Sequence, residues 1–291
     1  MSGGTLLLGT HLFDARGDAA ARQRRAAAAN AALQRTDLVN VQGRSAPFEY
    51  PDIATLATLT RTARDATRVP GRPTPVGRDI CDALARAARA RGHRYFAMAN
   101  GDAIVTQAAV DRVLAGGYET VAFSRRDVDA DGRELGVLIH GIDMWAFDVA
   151  WWEAHRHRFR SYVIGGPCID NVFAAIMMTH GRGFIENREG EIRHVVHPRA
   201  WAVGPYERYN YYLAALDSPY FTMWARYIAA LEVMRRDGAS AADEQAMARA
   251  TFVRRWSPFG IVWHAGRSVR ARWRYARDRA RVSAPAAAAP R

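Results

Sequence analysis

The first half of this 291-residue chain alternates short apolar segments with amphipathic ones, and that alternation restricts the folds open to it. Apolar runs of strand length lie at 5–9, 38–41, 94–99, 119–124 and 142–147, and helical spacing or composition at 18–35, 51–64, 77–91 and 106–115. Strands that alternate with helices form a mostly parallel sheet with helices on both faces. The sequence therefore predicts an α/β fold.

Beyond residue 204 the pattern is helical throughout. Aromatic and apolar residues recur with helical spacing over 209–234, and two further helical segments follow at 241–255 and 267–281. We therefore predict a core domain over 1–204, a helical C-terminal subdomain over 205–282, and a disordered Ala/Pro-rich tail over 283–291.

The composition fits a globular protein, with 49% hydrophobic and 24% charged residues. Two cysteines, Cys81 and Cys168, are too few for a disulfide framework. No segment resembles a signal peptide or a membrane span. We expect a soluble, cytoplasmic protein.

The net charge is +12, and every basic residue is an arginine. Such a field favours polyanions, although a GC-rich genome also produces arginine-rich chains. Much of the excess lies in 267–291, where Trp273 and Tyr275 are interleaved with arginines. This segment indicates peripheral contact with the inner face of an anionic membrane; nucleic acid is the less favoured partner, and a solvated basic helix is the alternative.

The triplet Asn100-Gly101-Asp102 directly follows an apolar strand. Ligands of open α/β sheets bind beyond the carboxyl ends of the strands, and Gly101 permits a sharp turn there. A carboxylate at this position suits Mn²⁺ or Mg²⁺ bound together with phosphate oxygens. The alternative is that Asp102 only caps the following helix.

A glycine-rich loop, Gly165-Gly166-Pro167-Cys168, leads through Ile169 to Asp170 and Asn171 and into an apolar helix. A carboxylate there can take a proton from an attacking hydroxyl group. An equally open interpretation is that Asp170 or Asn171 is the N-cap of the helix.

Two further segments carry candidate site residues. His194 and His197 lie on a strand-like stretch, where they are expected to point to opposite faces, so that one of them completes a metal site with Asp102. Asp143 and Trp145 form an acid–aromatic pair suited to holding a sugar, although core packing explains Trp145 equally well.

Several catalytic signatures are missing from the sequence. It contains no Gly-x-x-x-x-Gly-Lys loop, no Gly-x-Gly-x-x-Gly after a strand, no Cys-x-x-Cys pair and no Gly-x-Ser-x-Gly elbow. These absences disfavour P-loop nucleotidases, simple dehydrogenases, zinc ribbons and α/β-hydrolases.

In their order and spacing, the four motif segments resemble the GT-A glycosyltransferase superfamily, whose members bind nucleotide-sugars on a Rossmann-like sheet. The resemblance covers about residues 5–204 and is greatest to uncharacterised bacterial members. It implies a metal-dependent, inverting transfer of a sugar from a nucleotide-sugar to a glycan or lipid-linked acceptor, in surface polysaccharide or glycoconjugate synthesis.

The resemblance also implies residue roles, with Mn²⁺ or Mg²⁺ as cofactor. It assigns the metal to Asp102 and His197, the catalytic base to Asp170, and acceptor contacts to Asp143, Trp145 and Asn171. Its nucleotide contacts are Thr10, His11, Arg72, Asn100 and Asp102. Asn100 replaces the first acid of the family's Asp-x-Asp motif, and Asn171 replaces the second acid of an acidic pair.

Two other classes stay open. A nucleotidyltransferase on a similar sheet would carry a glycine-rich signature near the first strand, where the loop 10–17 has a single glycine. A non-catalytic protein that binds nucleic acid or anionic membrane would use the basic C-terminal helix.

Overall fold

The computed structural model describes residues 5–69, 71, 73–181, 183–185, 189–197, 205–252 and 258–283. The strands in this part of the chain are β1 (Leu6–Thr10), β2 (Thr36–Gly43), β3 (Ala54–Leu59), β4 (Tyr95–Ala99), β5 (Ala103–Val105), β6 (Thr120–Val128), β7 (Glu134–Asp148), β8 (Phe184–Ile185) and β9 (Ile192–Val195). The helices are α1 (Gly17–Ala31), α2 (Ala63–Thr67), α3 (Gly77–Ala90), α4 (Gln107–Ala115), α5 (Val149–His155), α6 (Ile169–His180), α7 (Pro205–Leu216), α8 (Ser218–Arg236), α9 (Ala241–Thr251) and α10 (Pro258–Ser283).

All of these strands belong to one mixed sheet with the order β3-β2-β1-β4-β7-β6-β9-β5, and β8 pairs with β6 beside this path. Strands β1 to β4 are parallel to one another, as are β6, β8 and β9. The long strand β7 is antiparallel to both of its neighbours, and β5 is antiparallel to β9. The predicted, mostly parallel α/β sheet is confirmed.

Helices cover both faces of the sheet. On β1, Leu7 packs in the cluster that contains residues of α3, α5 and α6, whereas Leu6 and Leu8 pack in a second cluster with residues of α4. On the α4 side, α1 is tied to β5 because the Asn30 side chain bonds the backbone of Ala103 and Val105 at 3.0 and 2.8 Å. Burial on both faces is what a central parallel strand requires.

The C-terminal helices pack on the outside of α6. Trp224 and Leu231 of α8 lie in the same hydrophobic cluster as Phe173 of α6. In α7, the buried Asn210 side chain bonds both the N–H and the C=O of Val163, each at 2.9 Å. The predicted helical C-terminal region is confirmed, while its division from the core as a separate domain stays a prediction. Of the predicted tail, Ser283 is the last residue of α10, and 284–291 lie outside the described residues.

One helix prediction was wrong. The segment 51–64 contains the edge strand β3, which pairs in parallel with β2 from Val39↔Ala54 onward. Its composition is compatible with a helix, but pairing with β2 stabilises it as a strand at the edge of the sheet. Among the described residues, no helix is long and apolar enough to cross a membrane.

Candidate active site and metal centre

The Asn100-Gly101-Asp102 triplet forms the turn between β4 and β5 at the carboxyl end of a central strand. A Cβ atom on Gly101 would lie 3.1 Å from the carbonyl oxygen of His11, so the glycine lets the loop after β1 approach closely. The sharp turn expected from the sequence is present, because the N–H of Ala103 donates to the carbonyl oxygen of Asn100 at 3.0 Å, and Gly101 makes it without a positive φ. Asp102 does not cap a helix either, because β5 follows it directly.

Three side chains converge at this turn. The Oδ2 atom of Asp102 lies 3.1 Å from Nε2 of His197 and 3.6 Å from Nε2 of His194. Ligand atoms of the three residues all lie within 4.8 Å of one another, which is close enough to share a metal ion. The expectation that the two histidines diverge was wrong, because β9 ends at Val195 and the chain turns before His197.

Strand pairing explains how His194 reaches this cluster. Strand β9 lies between β5 and β6, so His194 is opposite Ala103 on one side and Asp127 on the other. Its Nδ1 atom is 3.6 Å from Oδ1 of Asp127. A carboxylate oxygen therefore lies 3.6 Å from each ring nitrogen of His194, within the range of an ion pair but beyond that of a hydrogen bond.

The charges in the cluster reinforce one another. Burial raises the pKa of Asp102, but the contacts and charges of His194 and His197 outweigh it and lower that pKa to about 2. For His194, burial lowers the pKa, yet its contact with Asp102 and the charge of Asp143 raise it overall. Asp102 is therefore an ionised carboxylate across the physiological range, as a ligand of a hard cation must be.

Two further carboxylates, those of Asp143 and Asp170, lie beside the cluster. Asp143, on β7, is 2% exposed, and Nδ2 of Asn100 donates to its Oδ1 at 2.6 Å. Its Oδ2 has no hydrogen-bond partner among the described residues, and burial raises its pKa. Asp170 lies in the first turn of α6, where burial and the charge of Asp143 raise its pKa to about 8.

Asp170 is not committed to capping its helix. The N-cap of α6 is Cys168, which has a φ of 71° and no side-chain cap, so neither alternative predicted from the sequence, Asp170 or Asn171, is the N-cap. The carboxylate of Asp170 remains available for chemistry. Asn171 is half-buried in the same helical turn.

The sequence analysis missed two residues of this site, Arg125 and Asp127. Both lie on β6, their side chains are 2.9 Å apart, and the charge of Arg125 lowers the pKa values of Asp143 and Asp170. The strand was expected to end at Ser124, but it continues to Val128. The polar run that follows Ser124 was the signal that could have identified them.

The predicted nucleotide contacts that the structure describes, Thr10, His11, Asn100 and Asp102, lie at the same edge of the sheet. Thr10 is buried at the end of β1, and its Oγ1 has no hydrogen-bond partner among the described residues. Nδ1 of His11 is 2.9 Å from the carbonyl oxygen of Val41, and burial lowers the pKa of His11. Arg72 lies outside the described residues.

Among the predicted contacts that lie in the described part of the chain, Trp145 is packed in the core. Its side chain is 2% exposed, and its ring packs edge-on against Phe173 at a centroid distance of 6.0 Å. Trp145 is therefore a core residue in this structure, because β7 turns its side chain toward α6. His155 is half-buried, and its ring stacks on Trp151 with centroids 4.4 Å apart.

Neither a scan against protein-family models nor a search of curated proteins found a match. Among solved structures, S. aureus TarS 1–349 in complex with UDP-GlcNAc is 9% identical with a TM-score of 0.45, over 73% of this chain and 66% of that chain. A longer S. aureus TarS chain gives 8% identity and a TM-score of 0.43, over 73% of this chain and 39% of that one. The mannosyltransferase PcManGT from Pyrobaculum calidifontis, in complex with GDP-Man and Mn²⁺, gives 13% identity and a TM-score of 0.40, over 94% and 75%.

The chain thus spans less than two thirds of the length of either TarS chain. At these identities and TM-scores the likeness is remote, and it carries no weight for the chemistry of the site.

Proposed function

We propose that this protein is a metal-dependent glycosyltransferase that moves a sugar from a nucleotide-sugar donor to an acceptor hydroxyl group. The observation that carries the proposal is the cluster of Asp102, His194 and His197 at the end of β4, beside two carboxylates with raised pKa values. A cation site and a proton acceptor in one site are what departure of a diphosphate and attack by a hydroxyl require.

The three side chains fit a divalent cation. They offer one carboxylate and two imidazoles, and a six-coordinate ion would keep the other positions for oxygens of the substrate. Imidazole ligands suit Mn²⁺ better than Mg²⁺, which prefers oxygen, so we favour Mn²⁺. When bound, the ion stabilises the negative charge that develops on the leaving diphosphate.

The protein's own side chains position the donor and the cation ligands. Asp102 and His197 would hold the cation together with His194, whose other ring nitrogen lies 3.6 Å from the carboxylate of Asp127. Thr10 ends β1 and His11 follows it at the same edge, and we assign them, with Arg72 and Asn100, to contacts with the nucleotide. The unpartnered Oγ1 of Thr10 is a polar atom that such a contact would satisfy.

Asp170 is the proposed base. Its carboxylate takes the proton of the acceptor hydroxyl, the hydroxyl oxygen bonds to the anomeric carbon, and the nucleoside diphosphate leaves with the electron pair of the broken C–O bond. A pKa of about 8 makes Asp170 a stronger base than an ordinary carboxylate. Asn171 is assigned to contact with the acceptor, and the buried Asp143 is assigned to raising the pKa of the base through its charge.

We propose inversion at the anomeric carbon. A retaining double displacement needs a second carboxylate that reaches the sugar as a nucleophile. Asp143 is the carboxylate whose charge acts on Asp170, but its side chain is 2% exposed and bonded to Asn100. A single displacement with one base therefore fits this site better. The acceptor is proposed to be a glycan or lipid-linked sugar of a bacterial surface polysaccharide or glycoconjugate.

The test begins with thermal unfolding in the presence of nucleoside diphosphates, each with and without Mn²⁺. A nucleotide that binds the native state through the cation raises the melting temperature only when both are present. The pair that does so identifies the donor nucleotide, and the matching nucleotide-sugars are then assayed for transfer and hydrolysis. If no pair shifts the melting temperature and no nucleotide-sugar is consumed, the proposal is wrong.

A further inference from the structure

Helix α10 contains seven arginines and a single acid, Asp278, and its two faces differ in what they contact. One face carries His264, Ala271 and Tyr275, and the opposite face carries Val262, Val269 and Trp273. Within each set the spacing of seven and then four residues places the side chains on one stripe of a helix.

The first face packs on the protein. Tyr275 stacks on Tyr212 of α7 with ring centroids 4.5 Å apart, and its hydroxyl donates to the carbonyl oxygen of Thr67 at 3.3 Å. His264 lies 2.7 Å from the hydroxyl of Ser218 at the start of α8. These contacts fix the rotation of α10 about its axis and leave the opposite stripe directed to solvent.

The solvent-facing stripe is apolar and large. Val262 is 71% exposed, Val269 is 67% exposed and Trp273 is 63% exposed. A helix that turns valine and tryptophan away from its own core loses the free energy of burying them, about 1.5–3 kcal/mol for each large side chain. Such a stripe on an ordinary basic surface helix indicates a binding surface.

Arginines flank the stripe on both sides. Arg270 and Arg277 lie on one side of it by helical spacing and Arg272 on the other, and the guanidinium of Arg277 lies 4.9 Å from the centroid of the Trp273 ring. An apolar centre with cationic borders is the pattern of helices that lie in the plane of a membrane interface. The apolar side chains enter the acyl region while the arginines reach anionic headgroups.

The charges and the apolar side chains of this face favour an anionic membrane over a second copy of α10 and over nucleic acid. A second copy of α10 would bring its own arginines against these, which like-charge repulsion opposes. Nucleic acid would satisfy the arginines, but its phosphate backbone offers no apolar surface for Val262 and Val269. An anionic lipid surface satisfies both.

We infer that the outer face of α10, formed by Val262, Val269 and Trp273 and bordered by arginines, docks this protein on an anionic membrane surface. The contact is peripheral, with α10 parallel to the membrane. The inference is independent of the enzymatic activity proposed above.

Helix α7 contacts both α10 and the loop that leads to the candidate site. Tyr212 of α7 stacks on α10, and two residues earlier on α7 the Asn210 side chain bonds Val163 in the loop that leads to Asp170. A membrane-bound α10 therefore holds the candidate site at a fixed distance from the lipid surface, which suits an acceptor embedded in the membrane.

The test uses the full chain and co-sedimentation with vesicles of phosphatidylcholine, with or without phosphatidylglycerol. The protein should bind the anionic vesicles and bind the neutral ones much more weakly. The double variant Val269→Ser, Trp273→Ser should lower the partition coefficient by at least about tenfold, because both side chains lose their burial in lipid. Arg270→Gln with Arg272→Gln, one arginine from each border of the stripe, should lower it by about 25-fold, at about fivefold per charge.

Matched controls separate docking from folding and from general charge. Val233→Ser removes a 51% exposed valine from α8, and Arg86→Gln with Arg24→Gln removes two exposed charges elsewhere; neither should change the partition coefficient more than twofold beyond the effect of net charge. All variants should keep the wild-type melting temperature. Binding that survives the loss of Val269 and Trp273, or binding to DNA that equals binding to anionic vesicles, would overturn the inference.

Discussion

Asp102 and Asp170 are carboxylates of one candidate site, yet their surroundings shift their pKa values in opposite directions. Both lose solvation, which raises the pKa of each, but two histidines pair with Asp102 and lower its pKa to about 2. Asp170 has the charge of Asp143 nearby, and its pKa rises to about 8 because Arg125 offsets only part of that effect. Environments that separate the pKa values of two carboxylates also separate their roles.

The difference teaches which residue can bind a cation and which can move a proton. A carboxylate that is ionised at every physiological pH is a permanent ligand, whereas one that titrates near neutrality can accept and release a proton. A cation held by Asp102 would lower the pKa of Asp170 toward neutrality, since nearby positive charge favours the carboxylate form. The two halves of the site would then be coupled through charge.

The sharpest test of this division is Asp170→Asn. Loss of a general base should reduce kcat by about 10²–10⁴-fold while leaving cation-dependent nucleotide binding unchanged. Transfer assays and the Mn²⁺-dependent rise in melting temperature measure the two effects separately. If nucleotide binding falls together with kcat, Asp170 contributes to binding the cation and nucleotide, and the proposed division of roles between Asp102 and Asp170 is wrong.

The converse substitution is Asp102→Ala. It should abolish the Mn²⁺-dependent rise in melting temperature and reduce transfer by about 10²–10³-fold, because the leaving diphosphate loses its counter-charge. Asp131→Ala is the matched control, since Asp131 is an exposed acid in the β6–β7 turn. Transfer by Asp102→Ala at the control's rate would contradict a metal role for this residue.

The sequence predicted the half of the site that local pattern defines. Asp102 follows an apolar strand and Asp170 follows a glycine-rich loop, and both features are visible within a few residues. The convergence of His194 and His197 could not be predicted, because it depends on β9 inserting between β5 and β6 and then ending early. Arg125 and Asp127 were missed for the related reason that pairing with β7 extends β6 beyond its apolar run.

The fold shows the same division between local and non-local signals. Helix α3 was predicted at 77–91 and is found at Gly77–Ala90, because its apolar spacing and its terminal Gly92 are local. Strand β3 was interpreted as a helix because the composition of its segment is a local signal. Its pairing with β2 leaves no such signal within the segment. For Trp145 the sequence left a sugar platform and a core position equally open, and the structure has its side chain buried.

Asp127→Asn tests a smaller effect within the cation half. Asp127 does not reach the proposed cation, but its carboxylate faces Nδ1 of His194 at 3.6 Å. Loss of such an outer carboxylate weakens metal affinity by about 10–100-fold in other metal sites, and we expect a loss in that range. Titration with Mn²⁺ in the presence of the nucleotide measures it, with Asp131→Asn as control. An affinity equal to that of the control would show that His194 needs no such support.

The smallest expected effect comes from Asn100→Asp, which connects the two halves. Nδ2 of Asn100 donates to Asp143 at 2.6 Å, so a carboxylate at this position would place two acids in contact and raise the pKa of Asp143 further. This explains why an amide suits position 100: a hydrogen-bond donor to Asp143 is needed here, and a carboxylate would offer one only when protonated.

The sign of the pH dependence follows from the raised pKa of Asp143 in the folded state. A carboxyl group whose pKa is raised on folding contributes stability that is fully present below the unfolded value of about 4 and is lost as the pH rises through the folded value. Relative to wild type, Asn100→Asp should therefore lose free energy of unfolding mainly at neutral and higher pH, on the order of 1–2 kcal/mol. Denaturant unfolding at pH 4 and pH 8 measures this, with Asn100→Ala, which loses the hydrogen bond without adding a charge, as the variant whose deficit should grow less with pH. An equal deficit for Asn100→Asp at both pH values would mean that Asp143 is ionised whichever side chain stands at position 100, and the amide would then serve geometry rather than protonation.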